Sequence, residues 1–425
     1  MHLRQLLFSS ASLMASQILT AGVGFLFWVV AARRFDEASV GVASAAISAM
    51  SLLGAIGTVG MGTLLIREMP LNRGSEHRML SAALLLSSGL GAVLGVAFVL
   101  LAPLLSDEFA PLVADPWIWL SVVVGSGLTA AGLNMDQALV GLLRSELQLV
   151  RNIVAAGGRL LLLLATVLIG SAAGSLAMLG SWSGALALSM AALALIALRR
   201  GQLRSTLPPA WRILHFHRGA ALQHHMLNLS IQVPGWVMPL ITLTVLSAAT
   251  NARFYLAWML VGLASFVPAA LCWALYASSS RDISSLARNG RITLALSLAA
   301  AIFSALVLWL LGAEILTPLG ASYAEAAAGP LPVLAMTLLP VAIKSHYVTI
   351  HRVRGTLNSA SLVVAGAGAL EIVGAILGAH FGDLIGLSVG LLTAMLLEAA
   401  VMLPTVYEAI VSPRGSANLA MEEKP

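Results

Sequence analysis

Along most of the chain, apolar residues run for twenty positions or more before a short polar stretch interrupts them. Crossing a hydrocarbon core takes about 20 apolar residues in a helix, and outside closed barrels only the helix satisfies its own backbone there. The runs predict an all-α integral membrane protein of about twelve transmembrane helices, at 8–32, 40–66, 79–104, 117–141, 153–170, 176–198, 219–247, 252–277, 292–315, 330–350, 359–380 and 384–408. The first run is too long for a signal peptide and reads as a retained helix. The connections are too short for a separate soluble domain. The longest, from Arg199 to Arg218, is basic and carries Trp211, Ile213, Leu214 and Phe216, which suit an interfacial position. It divides the chain into a six-helix bundle at 1–210, a second at 211–411 and a polar tail at 412–425, read as disordered and cytoplasmic.

Composition removes other classes. Hydrophobic residues make up 59% of the 425 and charged residues only 10%, well below the quarter that is usual in soluble domains. A pI of about 9.9 invites nucleic acid, yet the basic residues lack the motif and aromatic context of such binding, so no nucleic-acid partner is expected. They collect instead in alternate loops. With both termini cytoplasmic, 18 of the 23 Lys and Arg fall on the inner side, while Asp36, Glu37, Asp107, Glu108, Asp115 and Asp383 fall outside. A faint repeat sets Ala38–Ala43 against Ala252–Ala257 at an offset of 214, each after the long first helix of its half. Six helices, a basic linker and six more is the layout of a repeat-built transporter with its site between the halves. Cys272 stands alone in an apolar run, which excludes a disulfide framework or a cysteine metal site and leaves a buried inert thiol.

Ionisable residues inside a membrane are costly unless they pair, snorkel or face water. Five occur here, Asp136, Arg159, Lys344, Glu371 and Glu398, with His346 as a titratable neighbour. Asp136 and Arg159 are expected at similar depth on antiparallel helices, either as a structural pair or with Arg159 on substrate. Lys344 and Glu398 suit one level, again as a pair or with Lys344 on substrate. Lys344 shares a helical face with Tyr347 and His351. Glu371 shows no evident cation at its depth and is open to proton coupling or to a neutral buried state. Arg33, Arg34 and Arg67 stand at opposite ends of the first hairpin, as head-group cations or as interfacial and topology charges. Interruptions are expected at Pro234, Gly235 and Pro239 in helix seven, Pro268 in helix eight, and Pro332 and Pro340 in helix ten. No nucleophile and base constellation, metal-ligand spacing or phosphate loop is present, and the adjacent pair His224 and His225 points to different helix faces, so neither enzyme activity nor a cofactor is expected.

Three segments carry a resemblance. Ala31-Ala-Arg-Arg-Phe-Asp-Glu-Ala-Ser-Val-Gly41, Gly60-Met-Gly-Thr-Leu-Leu-Ile-Arg67 and Asp136-Gln-Ala-Leu-Val-Gly-Leu-Leu-Arg144, the last continuing through Arg151 and Asn152 to Arg159, resemble the lipid-linked oligosaccharide flippases of the polysaccharide transport family. These belong to the superfamily that also holds multidrug and toxin exporters and peptidoglycan-precursor flippases. The second half departs from the pattern, lacking the glycine at the start of helix eight. The resemblance implies a V-shaped pair of six-helix bundles related by a pseudo-two-fold, alternating access, and a polyprenyl-diphosphate sugar cargo in a bacterial cytoplasmic membrane. It also implies functional association with glycosyltransferases and a polymerase, besides the membrane lipids. Diphosphate needs fixed cations, for which Arg33, Arg67, Arg159 and Lys344 are the candidates. A cation-coupled drug exporter of the same fold is the nearest alternative, although helices one and seven carry no Asp or Glu. A membrane enzyme acting on lipid-linked sugars is the second.

Overall fold

The computed structural model describes residues 20–72, 74–170, 174–200 and 218–411; the interfacial reading of Trp211 and its neighbours and that of the tail lie outside them. The main helices are α1 (20–34), α2 (Glu37–Gly57), α3 (Met61–Glu68), α4 (Glu76–Leu101), α5 (Pro116–Gly141), α6 (Ser145–Ile169), α7 (Gly174–Arg199), α8 (Arg218–Val245), α9 (Ala248–Ala264), α10 (Phe266–Ser279), α11 (Leu286–Leu316), α12 (Pro330–Met336) and α13 (Leu338–Arg354). A last stretch, Leu357–Val411, is broken by non-helical backbone at Gly382 and Asp383, which makes it two antiparallel helices, α14 (357–381) and α15 (384–411). Among the described residues, ten stretches are long and apolar enough to cross a membrane. Counting the last as two gives eleven, and α1, described from residue 20, lies in the first of the twelve predicted runs. No strand occurs among the described residues.

The chain forms two compact units, Met1–Ala252 and Arg253–Pro425. In the first, α2 is the central helix, packed on α4, α5, α7 and α8, and is buried from Val40 through Met50. Its small residues permit this, since close helix approach in a membrane favours Gly, Ala and Ser. Gly41 is the extreme case: a Cβ there would overlap the Ala248 carbonyl, and Asn251 donates from Nδ2 to the Gly41 carbonyl at 2.8 Å. In the second unit the Pro330–Arg354 span is central, 67% buried against 17% for the Ile283–Leu319 span around α11. It packs on α10, α11 and the α14–α15 hairpin. That hairpin closes glycine on glycine, because a Cβ at Gly378 or Gly390 would overlap the carbonyls of Gly386 and Gly374 respectively.

Proline sets two breaks in register. α9 stops at Ala264 and α12 at Met336, each four residues before a proline, Pro268 and Pro340, whose ring removes the donor and crowds the carbonyl four positions back. Helix seven corrects the expectation: α8 runs through Pro234 and Pro239 without interruption. Helix two corrects it the other way. Predicted as one element over 40–66, it is cut into α2 and α3 because Val59 and Gly60 take positive φ of 46° and 74°. Glycine accepts that conformation readily, whereas a β-branched valine does so at a cost.

Candidate functional site: the buried charges of each unit

In the first unit, Asp136 of α5 is held by Arg151 of α6. Nε donates to Oδ1 at 2.7 Å, the second guanidinium nitrogen donates to Oδ2, and the same nitrogen reaches Asn152 Oδ1 at 2.8 Å. This corrects the expected pairing with Arg159. The cause is where α6 begins: at Ser145, eight residues before the predicted start, which carries Arg151 from the loop to nearly two turns inside the helix. Antiparallel to it, Asp136 lies five residues before the end of α5, at matching depth. The planar fork of arginine fits a carboxylate with two parallel bonds.

Arg159 lies two turns deeper, roughly 21 Å from the start of α6 at 1.5 Å per residue. Its guanidinium carbon sits 4.0 Å from the ring centroid of Trp182 on α7. Phe27 of α1 meets Trp182 edge-on at 5.7 Å and Trp28 at 5.2 Å, so an aromatic wall from two helices flanks the cation. The ring quadrupole attracts a guanidinium placed over its face. Arg67 is exposed beside the buried Glu68, 3.6 Å away, and Glu68 is further bonded by Asn72 at 3.2 Å. Arg33 is exposed at the end of α1, next to the turn capped by Asp36.

In the second unit one ammonium serves two carboxylates. Lys344 Nζ of α13 donates to Glu371 Oε1 of α14 at 2.5 Å and to Glu398 Oε2 of α15 at 3.3 Å. All three are nearly closed to solvent, at 7%, 5% and 4% exposure. The expected approach of Lys344 and Glu398 is present. The reading of Glu371 as lacking a cation is not, since Lys344 is its partner at the shorter of the two distances. The hairpin explains this: with Gly378 on Gly386 and Gly374 on Gly390, Glu371 and Glu398 stand about five residues apart in level, roughly 7.5 Å, within reach of one flexible lysine stem. Lys344 itself lies ten residues from the end of α13, about 15 Å, half of a 30 Å core. His346 stands apart from this cluster. Its Nδ1 lies 2.8 Å from the Ala342 carbonyl and 3.4 Å from Cys272 Sγ, and its Nε2 lies 3.2 Å from Thr293 Oγ1. The rings of Tyr347 and His351 meet at 4.4 Å, tilted by 55°, further along α13. Sequence reading missed Arg151 and the shared lysine; the signal for both was helix register.

Among the described residues no group of three or more His, Cys, Asp or Glu could hold a metal ion. The arrangement offers fixed cations and buried carboxylates at membrane depth, and the helix order is that of a two-bundle membrane transporter. The "Lipid II flippase MurJ, inward closed conformation" superposes with TM-score 0.71 at 12% identity, covering 94% of this chain and 87% of that one. The "inward-facing conformation of a multidrug resistance MATE family transporter of the MOP superfamily" gives 0.68 at 13%, covering 92% and 94%, and its outward-facing counterpart 0.66 at 14%, covering 98% and 97%. These likenesses define the fold as the one that these transporters share. Residues 6–216 match the family model of polysaccharide biosynthesis proteins. No curated protein sequence matches the chain.

Proposed function

We propose that this protein translocates a polyprenyl-diphosphate-linked oligosaccharide across a bacterial cytoplasmic membrane for cell-surface polysaccharide assembly, with both termini cytoplasmic and glycosyltransferases and a polymerase as functional partners. The observation that carries the reading is the family match over residues 6–216, on a fold shared with a lipid II flippase. Arg159 supports it physically. A guanidinium held against Trp182 deep in α6 keeps a planar two-donor fork at membrane depth, the geometry that suits diphosphate. Arg33 and Arg67 are exposed at opposite ends of the first hairpin, which supports their proposed role of meeting a head group before and after crossing. Of the two roles open to Asp136, charge pairing or proton coupling, its bonds to Arg151 support pairing.

The fold shared with multidrug exporters favours one rival, export of cationic drugs. Proteoliposomes separate the two. With a fluorescent polyprenyl-diphosphate oligosaccharide, wild-type protein should move label to the opposite leaflet, and Arg159→Ala should slow that at least about tenfold, the loss expected when a charge-assisted bond of 1.5–3 kcal/mol is removed. Arg159→Lys should fall between them. Movement of cationic dyes with no movement of the lipid would overturn the reading in favour of the exporter.

A further inference from the structure

The cluster on α13, α14 and α15 has an odd charge count. Lys344 brings one positive charge and Glu371 and Glu398 two negative ones, all three buried near mid-span, so the fully ionised cluster carries a net negative charge in a low-dielectric place. One carboxylate oxygen also lacks a hydrogen bond: Glu398 Oε1, in a residue 4% exposed, lies 3.3 Å from Lys344 Nζ and accepts nothing. Both facts call for one more positive charge bound at that oxygen.

We propose that Lys344, Glu371 and Glu398 form a one-proton site, which binds a single proton rather than a metal cation and loads and releases it during the transport cycle; the cycling rests on the transport reading above. The chemistry balances simply: one carboxylate oxygen takes a proton from the aqueous side to become a carboxylic acid, the cluster becomes neutral, and loss of that proton restores the anion. A hard metal cation needs about six oxygen ligands. Here the ammonium already fills the position between the carboxylates, and each acid spends an oxygen on it.

The other titratable groups on the packed elements lie elsewhere. Cys272 of α10 contacts His346, while Arg288, Arg291 and Glu314 of α11, Arg352 and Arg354 of α13, and His380, Tyr407 and Glu408 of the hairpin sit toward the ends of their helices, and Asp383 lies at the hairpin turn. Tyr347 lies on α13 one turn from Lys344, against His351, and Tyr276 lies near the end of α10. The carboxyl pair is therefore where the proton binds.

Infrared difference spectroscopy on the purified protein in lipid nanodiscs tests this without any transport assay, because a carboxylic acid has a C=O stretch that a carboxylate lacks. Referenced to the double variant Glu371→Gln/Glu398→Gln, so that the bands of the other carboxyls cancel, the wild-type protein should show one titrating acid band that sodium or calcium leaves unchanged. Glu371→Gln and Glu398→Gln each return the cluster to one cation and one anion, so each should lose the band, while Asp136→Asn retains it. No band at any pH, a band displaced by either metal ion, or a band that survives in both variants would overturn the site. In proteoliposomes, a pH gradient should accelerate wild-type translocation and leave Glu398→Gln unaffected. A band without gradient dependence would overturn the cycling and keep the site, and a failure of the oligosaccharide assay alone would refute the cargo and leave the spectroscopic result standing.

Discussion

The two units bury their charges differently. Asp136 and Arg151 are one anion and one cation, joined by two parallel bonds, and the pair is closed. Lys344 is a single cation divided between Glu371 and Glu398, at unequal distances of 2.5 and 3.3 Å. A balanced pair recovers through its partner most of what desolvation costs, and either residue alone is a liability. An unbalanced cluster cannot close, so it has to take a further ligand or keep an uncompensated charge. The comparison teaches that burial of ionisable residues is no guide to their role; stoichiometry is.

The sharpest way to break the contrast is Lys344→Met. It leaves two buried acids facing each other without a cation and should cost about 3–5 kcal/mol or prevent folding, read as thermal unfolding in detergent. Adding Glu371→Gln and Glu398→Gln should restore most of the loss. If the triple substitution stays as unstable as the single, the charges are not what destabilises it. Arg151→Met should do less, about 1–3 kcal/mol, because the Asp136 side chain keeps 17% exposure and stands nearer a helix end where water can reach it. Asp136→Leu on top should bring stability back to near the starting value, since an apolar replacement of a closed pair is close to neutral.

The smallest effect belongs to a charge outside the spans. Asp36 caps α2, accepting from Ser39 N at 2.8 Å and Ser39 Oγ at 2.7 Å. Partial burial alone would raise its carboxyl, but these bonds prevail and hold it below the ordinary value. A depressed carboxylate contributes stability that is fully present above the unfolded pKa of about 3.9 and lost as pH falls through the folded one. Asp36→Ala should therefore cost about 1 kcal/mol at neutral pH, with the gap to wild type closing in acid. A gap independent of pH would assign the loss to helix propensity instead.

Much of the fold was legible because hydrophobic runs of spanning length admit one backbone solution. The twelve helices follow from Leu, Ala, Val and Gly counted in blocks, and the breaks before Pro268 and Pro340 follow from proline's missing donor. Pairing was less legible. Which arginine meets Asp136 depends on where α6 begins, and the run 153–170 gave no sign that the polar stretch from Ser145 was already helical. The Glu371 partner was hidden for a similar reason: two residues 27 positions apart meet only if the hairpin register is known, and that register is set by glycines whose effect lies in contact distance rather than in hydropathy. Pro234 and Pro239 show the limit of a local rule, since α8 carries both without breaking.

The glycine-on-glycine seam between α14 and α15 has a mechanical meaning. With main chain pressed against main chain at Gly374, Gly378, Gly386 and Gly390, the two acids stand on helices seated at backbone distance from each other. The lysine rides on a separate lever, severed from α12 at Thr337. A displacement of α13 against that hairpin would therefore part the lysine from both acids at once.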